Sequence, residues 1–500
     1  MSIEAIAILV TLVTAGVFAL LGLLHASQQT INLEEYMVSR NRFGSWMSFG
    51  TIMAAALGIW ILFSPPEVGA TSGIAGILGY CIGSAAPPAL FTKIGTRIRQ
   101  LMPTGHSLNE FVLYRFGNTM YVLTLAIIVF YMFIYLAAEL TAIAKAVQIL
   151  ADVPLGWTAL VVIAATFIYT TYGGLGATIF TDVVQCAVMV PLLIASFAIA
   201  VFALGGFSAA LEPVRLAAPE LLSINNLPGL QFGATLIIAI ISAEVFNQSN
   251  WQRVYACRTN STVKRAFWGS ALAILPMIFI AGFLGLLARH FGFDDDRAFF
   301  ALLQELKLPV WVVIVVLVLA LALVMSTLAA LLNGIASVFT VDLVRLFPHV
   351  SARGLLRASR YLTVAIGLPA IAIAAQGFDV LYLFLLADLI CAGAVFPIIF
   401  SMYSRRLSGM AAVCSTLAGI ASGALFFPKP DFTPWVNIPF AGDLLVSFSI
   451  SLIVSIVVVL AWILIAAKTG KPHDFDFTQL STLARAYSET EPSTVPEAVE

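Results

Sequence analysis

Five acidic side chains, Glu67, Glu139, Asp182, Glu244 and Asp388, stand inside long apolar runs of this 500-residue chain. A carboxylate at membrane depth costs roughly 2.5 to 3.5 kcal/mol even on the gentler insertion scale, so each must be hydrated, paired, protonated or bound to a ligand. Lys145, six residues after Glu139, is the basic residue that stands out near them. A second feature is Leu321-Ala322-Leu323-Val324-Met325-Ser326-Thr327-Leu328. On a helix the third and fourth residues after Leu323 return to its face, which brings the Ser326 and Thr327 hydroxyls near the Leu323 carbonyl. Three neutral oxygens suit a hard monovalent cation if an unwound segment elsewhere adds carbonyls. The same pair in a membrane helix also bonds back to its own backbone or packs against a neighbour.

These residues must be positioned by membrane helices. The chain is 61% hydrophobic and 10% charged, with mean hydropathy +1.00, which excludes soluble enzyme architectures. A net charge of −1 gives no basic excess for neutralising phosphates, so no nucleic-acid partner is expected. The five cysteines lack paired spacing, so neither a disulfide framework nor a transition-metal site is expected. Hydropathy and breakers predict about thirteen spans, near 4–26, 45–71, 73–97, 119–149, 155–172, 177–205, 230–256, 264–289, 309–343, 358–376, 379–403, 409–427 and 443–467. With the N-terminus outside, all Lys and Arg fall on the inner side except Lys145, Arg215, Arg289, Arg297, Lys307 and Lys429. That asymmetry is the positive-inside signature, and it puts the C-terminus in the cytoplasm. The segment 471–500, rich in Ser, Thr, Glu and Pro, reads as a disordered cytoplasmic tail.

Two spans cannot be continuous. Ser64-Pro65-Pro66-Glu67 places consecutive prolines in the second, and Ile241 to Arg253 in the seventh is too polar to face lipid. Interrupted helices in corresponding positions of two five-helix units, here spans 2 to 6 and 7 to 11, point to a midplane binding site in an inverted-repeat transporter. Pro87-Pro88 reads as a kink.

At this point the chain resembles the sodium:solute symporter family, which includes sodium-coupled sugar, proline, sialic acid and urea transporters. Tyr172-Gly173-Gly174-Leu175-Gly176-Ala177 with Thr181-Asp182-Val183-Val184-Gln185 looks like its Gly-Gly-Leu and Thr-Asp-x-x-Gln signature. Phe246-Asn247-Gln248 with Gln252-Arg253 looks like its seventh span, and Val324-Met325-Ser326-Thr327 like its sodium-binding span. The stretch from Met102 to Glu110 looks somewhat like the urea and polyamine branch.

The likeness, over roughly residues 30 to 405, implies an all-α polytopic membrane protein with the leucine-transporter (LeuT-type) 5+5 inverted-repeat fold. The expected organisation is an extra helix in 1–30, a core over 31–405 (repeats about 45–205 and 230–403), two further helices in 406–470 and the tail. Carried over, the sodium site comprises backbone oxygens of Met53, Ala56 and Leu323 with the hydroxyls of Ser326 and Thr327, and Asp182 lies on the inner ion pathway. Ala54-Ala55-Ala56 stands where proline-transporting members have an acid. Ala329 and Ala330 stand where members with a second sodium site have hydroxyls, so one Na+ per cycle is expected.

The expected function is sodium-coupled import of a small polar organic solute across the cell (inner) membrane, with no enzymatic activity, no organic cofactor and no obligate protein partner. Glu244 and Asp388 favour a cationic amine or polyamine, with Trp60 and Phe246 adding cation–π contact and Asn247 and Gln248 also lining the site. Protonated, the two acids suit urea or an amide. The alternatives are a proline-type amino-acid symporter, a proton-coupled carrier titrating Asp182 or Glu244, and a transporter-like sensor.

Overall fold

The computed structural model describes residues 2–28, 32–346, 351–470 and 473–484, and their regular structure is helical. In chain order the helices are α1 (Ile3–Ser27), α2 (Leu33–Met37), α3 (Ser45–Ala56), α4 (Ser64–Leu101), α5 (Leu108–Phe116), α6 (Asn118–Ala151), α7 (Leu155–Ala203), α8 (Phe207–Ala217) and α9 (Leu227–Glu244). There follow α10 (Gln248–Ala256), α11 (Asn260–Ala288), α12 (Ala298–Glu305), α13 (Val310–Leu346), α14 (Ala352–Ala374), α15 (Val380–Ser401), α16 (Gly409–Ala424), α17 (Leu444–Lys468) and the one-turn α18 (Leu480–Leu483). Among the described residues ten helices are long and apolar enough to cross a membrane, so the chain is a multi-pass membrane protein.

Two of the ten carry a non-helical residue inside: Gly73 (φ 64°, ψ −159°) in α4 and Gly174 (φ 57°, ψ −150°) in α7. Gly174 belongs to the Gly-Gly-Leu stretch singled out above. A Cβ there would lie 2.5 Å from the Tyr36 ring on a left-handed backbone, so only glycine lets α2 press against this bend.

The first interruption is not where the prolines predict. Pro65 and Pro66 occupy the first turn of α4, where a missing N–H has no partner to lose and the fixed φ suits the helix. The chain leaves the helix earlier, at Leu57 (φ −103°, ψ 83°) and the extended Gly58 (φ −80°, ψ 176°), and passes through a 3-10 turn, Ile59–Leu62, before α4 starts. The second interruption falls where the polar run predicts, at Val245 to Asn247 between α9 and α10. Pro87 and Pro88 lie inside α4.

The expected disordered tail needs correction. Residues 473–484 pack against the core, with Leu480 buried, the Phe475 N–H donating to the Arg405 carbonyl (3.1 Å) and the Thr104 hydroxyl to the Ala484 carbonyl (2.6 Å). Arg115 stacks over the Phe475 ring at 4.3 Å and Arg97 over Phe477 at 5.3 Å. Four aromatic and aliphatic side chains in an otherwise polar segment provide this anchor. Residues 471–472 and 485–500 of the expected tail lie outside the described residues.

Near this strap, Arg40 donates to the carbonyls of Pro103, Thr104 and Gly105 (2.9, 3.1 and 3.0 Å), and the buried His106 ring lies between Glu34 (2.7 Å) and Glu110 (3.4 Å). Burial works against the charge on His106, but hydrogen bonds to and charges of Glu110 and Glu34 outweigh it and hold the imidazole up to about 9. Burial likewise opposes the charge on Glu34, and His106 with Arg40 holds that carboxyl down to about 2. Charge therefore ties α2 and α5 together at this end of the bundle.

Candidate functional site

At the first interruption, α3 ends with its last carbonyls short of helical partners, and α13 passes beside it uninterrupted. The Ser326 hydroxyl lies 2.9 Å from the Ala54 carbonyl and 3.0 Å from the Leu323 carbonyl, and the Thr327 hydroxyl lies 3.3 Å from Leu323. A hydroxyl has one proton, so two carbonyls and two hydroxyls hold more acceptor capacity than their two protons can satisfy. That surplus of neutral oxygen fits a small cation. The contact from α3 is Ala54, a residue the sequence reading did not select. Of the two it did select, Met53 has its carbonyl taken by the Leu57 N–H (3.0 Å), and Ala56 closes α3 and lines the cavity described next. Behind α13, Tyr169 of α7 donates to the Met325 carbonyl at 2.9 Å, fixing the backbone next to Ser326.

The cavity lies between the two interruptions and has two lobes sharing Trp60, Tyr135, Ile240 and Glu244. One lobe adds Ser84 and Asn250. The other adds Tyr80, Tyr131, Phe384 and Asp388. The rings form a box: Trp60 stacks on Tyr80 (5.5 Å, 15°), and Phe384 meets Trp60 and Tyr135 edge-on at 6.3 and 4.9 Å.

The two acids are in different states of engagement. Glu244 ends α9 and is fastened by Tyr131 Oη (3.0 Å), Asn247 Nδ2 (3.2 Å) and Asn250 Nδ2 (2.7 Å). Asp388 makes no hydrogen bond or ion pair among the described residues, and no Lys or Arg lines either lobe. A buried carboxyl with no protein partner leaves its hydrogen-bonding capacity to whatever enters the cavity.

The structure therefore gathers Trp60, Glu244 and Asp388 in one cavity. Phe246 is fully buried outside the cavity lining, and Asn247 caps α10, accepting from Ser249 N (3.1 Å) and Oγ (2.6 Å). Gln248 points to the other side: its Oε1 accepts from Leu108 N (3.2 Å) and its Nε2 donates to His106 O (2.9 Å). The sequence reading missed Tyr131 and Tyr135, although they stand at four-residue spacing on the face that also carries Glu139. Tyr80 and Phe384 sit among other apolar residues and carry no such signal.

Of the remaining acids, Asp182 and Glu139 find partners within the protein, whereas the Glu67 side chain makes no hydrogen bond or ion pair among the described residues. Asp182 of α7 forms a fully buried ion pair with Arg253 of α10 (2.8 Å), and Thr51 of α3 bridges them, donating to Asp182 and accepting from Arg253 Nε (2.9 Å). Glu139 accepts from the backbone N–H of Ile59 (3.0 Å) and Trp60 (3.2 Å), while Lys145, its neighbour in sequence, pairs with Asp296 instead. Glu67 lies in the first turn of α4, where a carboxylate complements the helix dipole.

An all-helical membrane chain whose interrupted helices meet intact ones around an oxygen cluster and a cavity has the form of a solute transporter. Family comparison makes this specific: the sodium:solute symporter family matches residues 36–419, and the chain belongs to it. It is similar to the spermidine transporter DUR31 of Candida albicans, 28% identical over 385 residues covering 74% of this chain and 70% of that protein. It is also similar to the sodium/proline symporter of Escherichia coli, 26% identical over 381 residues covering 70% and 73%. Among solved structures, a Na+-coupled sialic acid symporter in a substrate-bound outward-open state shares the fold with a TM-score of 0.76, at 17% identity, covering 94% of this chain and 98% of that one.

Proposed function

We propose that this transporter imports a small organic cation, an amine or polyamine, together with one sodium ion. The observation that carries the reading is the cavity: an aromatic box around the unpartnered Asp388, with a second acid beside it and no lining base. The similarity to a protein named as a spermidine transporter agrees with that chemistry. Carboxylate solutes would meet two acids and no counter-charge.

In this reading sodium is held by the carbonyls of Ala54 and Leu323 and the hydroxyls of Ser326 and Thr327, with Met53 and Ala56 lending backbone from the same helix end. The ion bridges α3 and α13, so it favours the conformation in which they are close, and it can bias the equilibrium only by that preference. Substrate then enters the box, and the ion leaves past Asp182 once the Arg253–Asp182 contact separates. Ala329 and Ala330, in the turn after Ser326, offer no hydroxyls for a second ion.

Splitting α4 and α7 at their glycines, joining the two halves of each interrupted helix and adding α16 gives thirteen crossings. The N-terminus is then outside, the His106 end is cytoplasmic, and the membrane is the cell (inner) membrane. The core spans 31–405, with α1 before it and α16 and α17 after it.

Purified protein in liposomes tests this. An inward sodium gradient is expected to drive accumulation of an amine that other cationic amines compete away. Failure of every cationic amine to inhibit uptake would remove the substrate assignment, and uptake at two sodium ions per solute would remove the stoichiometry.

A further inference from the structure

Glu139 is a fully buried acid with no base beside it, placed on α6 outside both interrupted helices. Its two oxygens are spent on two backbone N–H groups, Ile59 at 3.0 Å and Trp60 at 3.2 Å. These open the 3-10 turn after the first interruption, so neither has an acceptor within its own helix. In an ordinary helix the N-cap side chain satisfies one such donor, at the second or third position. Here the N-cap is Gly58, which has none, and a Cβ at Gly58 would fall 2.4 Å from Glu139 Oε1. The carboxylate occupies the space that a local capping side chain would need.

We propose that Glu139 is the positioning residue of the transport site, capping the interrupted helix from outside and thereby fixing the spacing between the cation cluster and the substrate cavity. On one side of the clamp is Ala54, whose carbonyl meets Ser326. On the other is Trp60, whose gripped backbone sets the indole against Tyr80 in the box. Both ligands therefore depend on one clamp, and loosening it weakens both. Coupling between two bound ligands is reciprocal, so any loss in sodium's effect on solute affinity is matched by an equal loss in the solute's effect on sodium affinity. A glutamine keeps one acceptor oxygen but turns its NH2 group towards the second N–H, and a leucine offers no acceptor at all.

This rests on the sodium-symport reading for its transport readout but not on the identity of the solute. The test uses Glu139→Gln and Glu139→Leu in the full chain, purified and in liposomes, with hydrogen exchange followed at the Ile59 and Trp60 amides. In Glu139→Gln the half-saturating sodium concentration is expected to rise about tenfold, the size of losing one hydrogen bond, while uptake at saturating sodium and solute stays within about threefold. Glu139→Leu is expected to exceed that shift, and the two amides are expected to exchange faster in both variants. A role confined to folding would lower yield and melting temperature and leave the sodium and solute constants of the folded fraction at wild-type values, which would overturn the proposal. Slow exchange at both amides in Glu139→Leu would overturn it as well. If wild-type uptake proves indifferent to sodium, the symport reading fails by itself, and the clamp then stands or falls on the exchange rates.

Discussion

The two interruptions solve one problem, backbone polar groups exposed at membrane depth, in opposite ways. Between α9 and α10 the repair is local: Asn247 caps the new helix, and Trp251 Nε1 and Asn250 Nδ2 return to the Val245 and Glu244 carbonyls (2.7 and 3.2 Å). Between α3 and α4 it is remote: Glu139 of α6 takes the orphaned N–H groups, and Ser326 of α13 meets the Ala54 carbonyl. A locally repaired break is a rigid elbow. A break repaired by other helices reports on where those helices are.

The severest way to break this contrast is to remove the oxygens at the remote repair. Ser326→Ala combined with Thr327→Ala is expected to abolish sodium-stimulated uptake, and sodium dependence that persists in the double variant would show that the ion binds elsewhere. Next in size, Asp388→Asn is expected to raise the half-saturating concentration of a cationic solute roughly 10- to 100-fold, the scale of a lost charged partner, with sodium affinity nearly unchanged. Equal loss for a neutral solute would deny Asp388 the role of counter-ion. A milder change sharpens the comparison from the other side: Asn247→Ala removes a local cap and is expected to lower stability by about 1 kcal/mol without altering the sodium constant.

The last effect concerns pH. His106 carries a folded-state pKa of about 9 against 6.5 unperturbed, so its contribution to stability is complete below pH 6.5 and is lost as pH rises through about 9. Glu34, held at about 2 against 4.5, contributes fully above pH 4.5 and loses that contribution only as pH falls through about 2. The wild-type melting temperature is therefore expected to decline between pH 6.5 and 9, and His106→Gln to flatten that decline. A profile unchanged by the substitution would show that the imidazole is not charged.

Much of this was legible in the chain. Apolar runs and the polar run around Asn247 marked the helix ends, because each is a short-range property of the backbone. The Ser326-Thr327 pair was found from helical periodicity. What failed had tertiary causes. The two prolines were read as the break when they mark the restart, since sequence alone does not tell a first turn from a middle one. Gln248 was assigned to the cavity with the rest of the polar run in the seventh span, but α10 turns its side chain towards His106. Ala54 has no chemistry to notice until its carbonyl is seen beside a hydroxyl, and Glu139 gives no clue that its partners are peptide groups.

The wholly buried contact between Asp182 and Arg253 has a consequence for how α7 and α10 come apart. Two opposite charges attract roughly four times more strongly in a medium of effective dielectric 20 than in water. The first water molecules to reach the pair weaken the force that was excluding them and so admit more. Such a pair resists small fluctuations and then yields all at once.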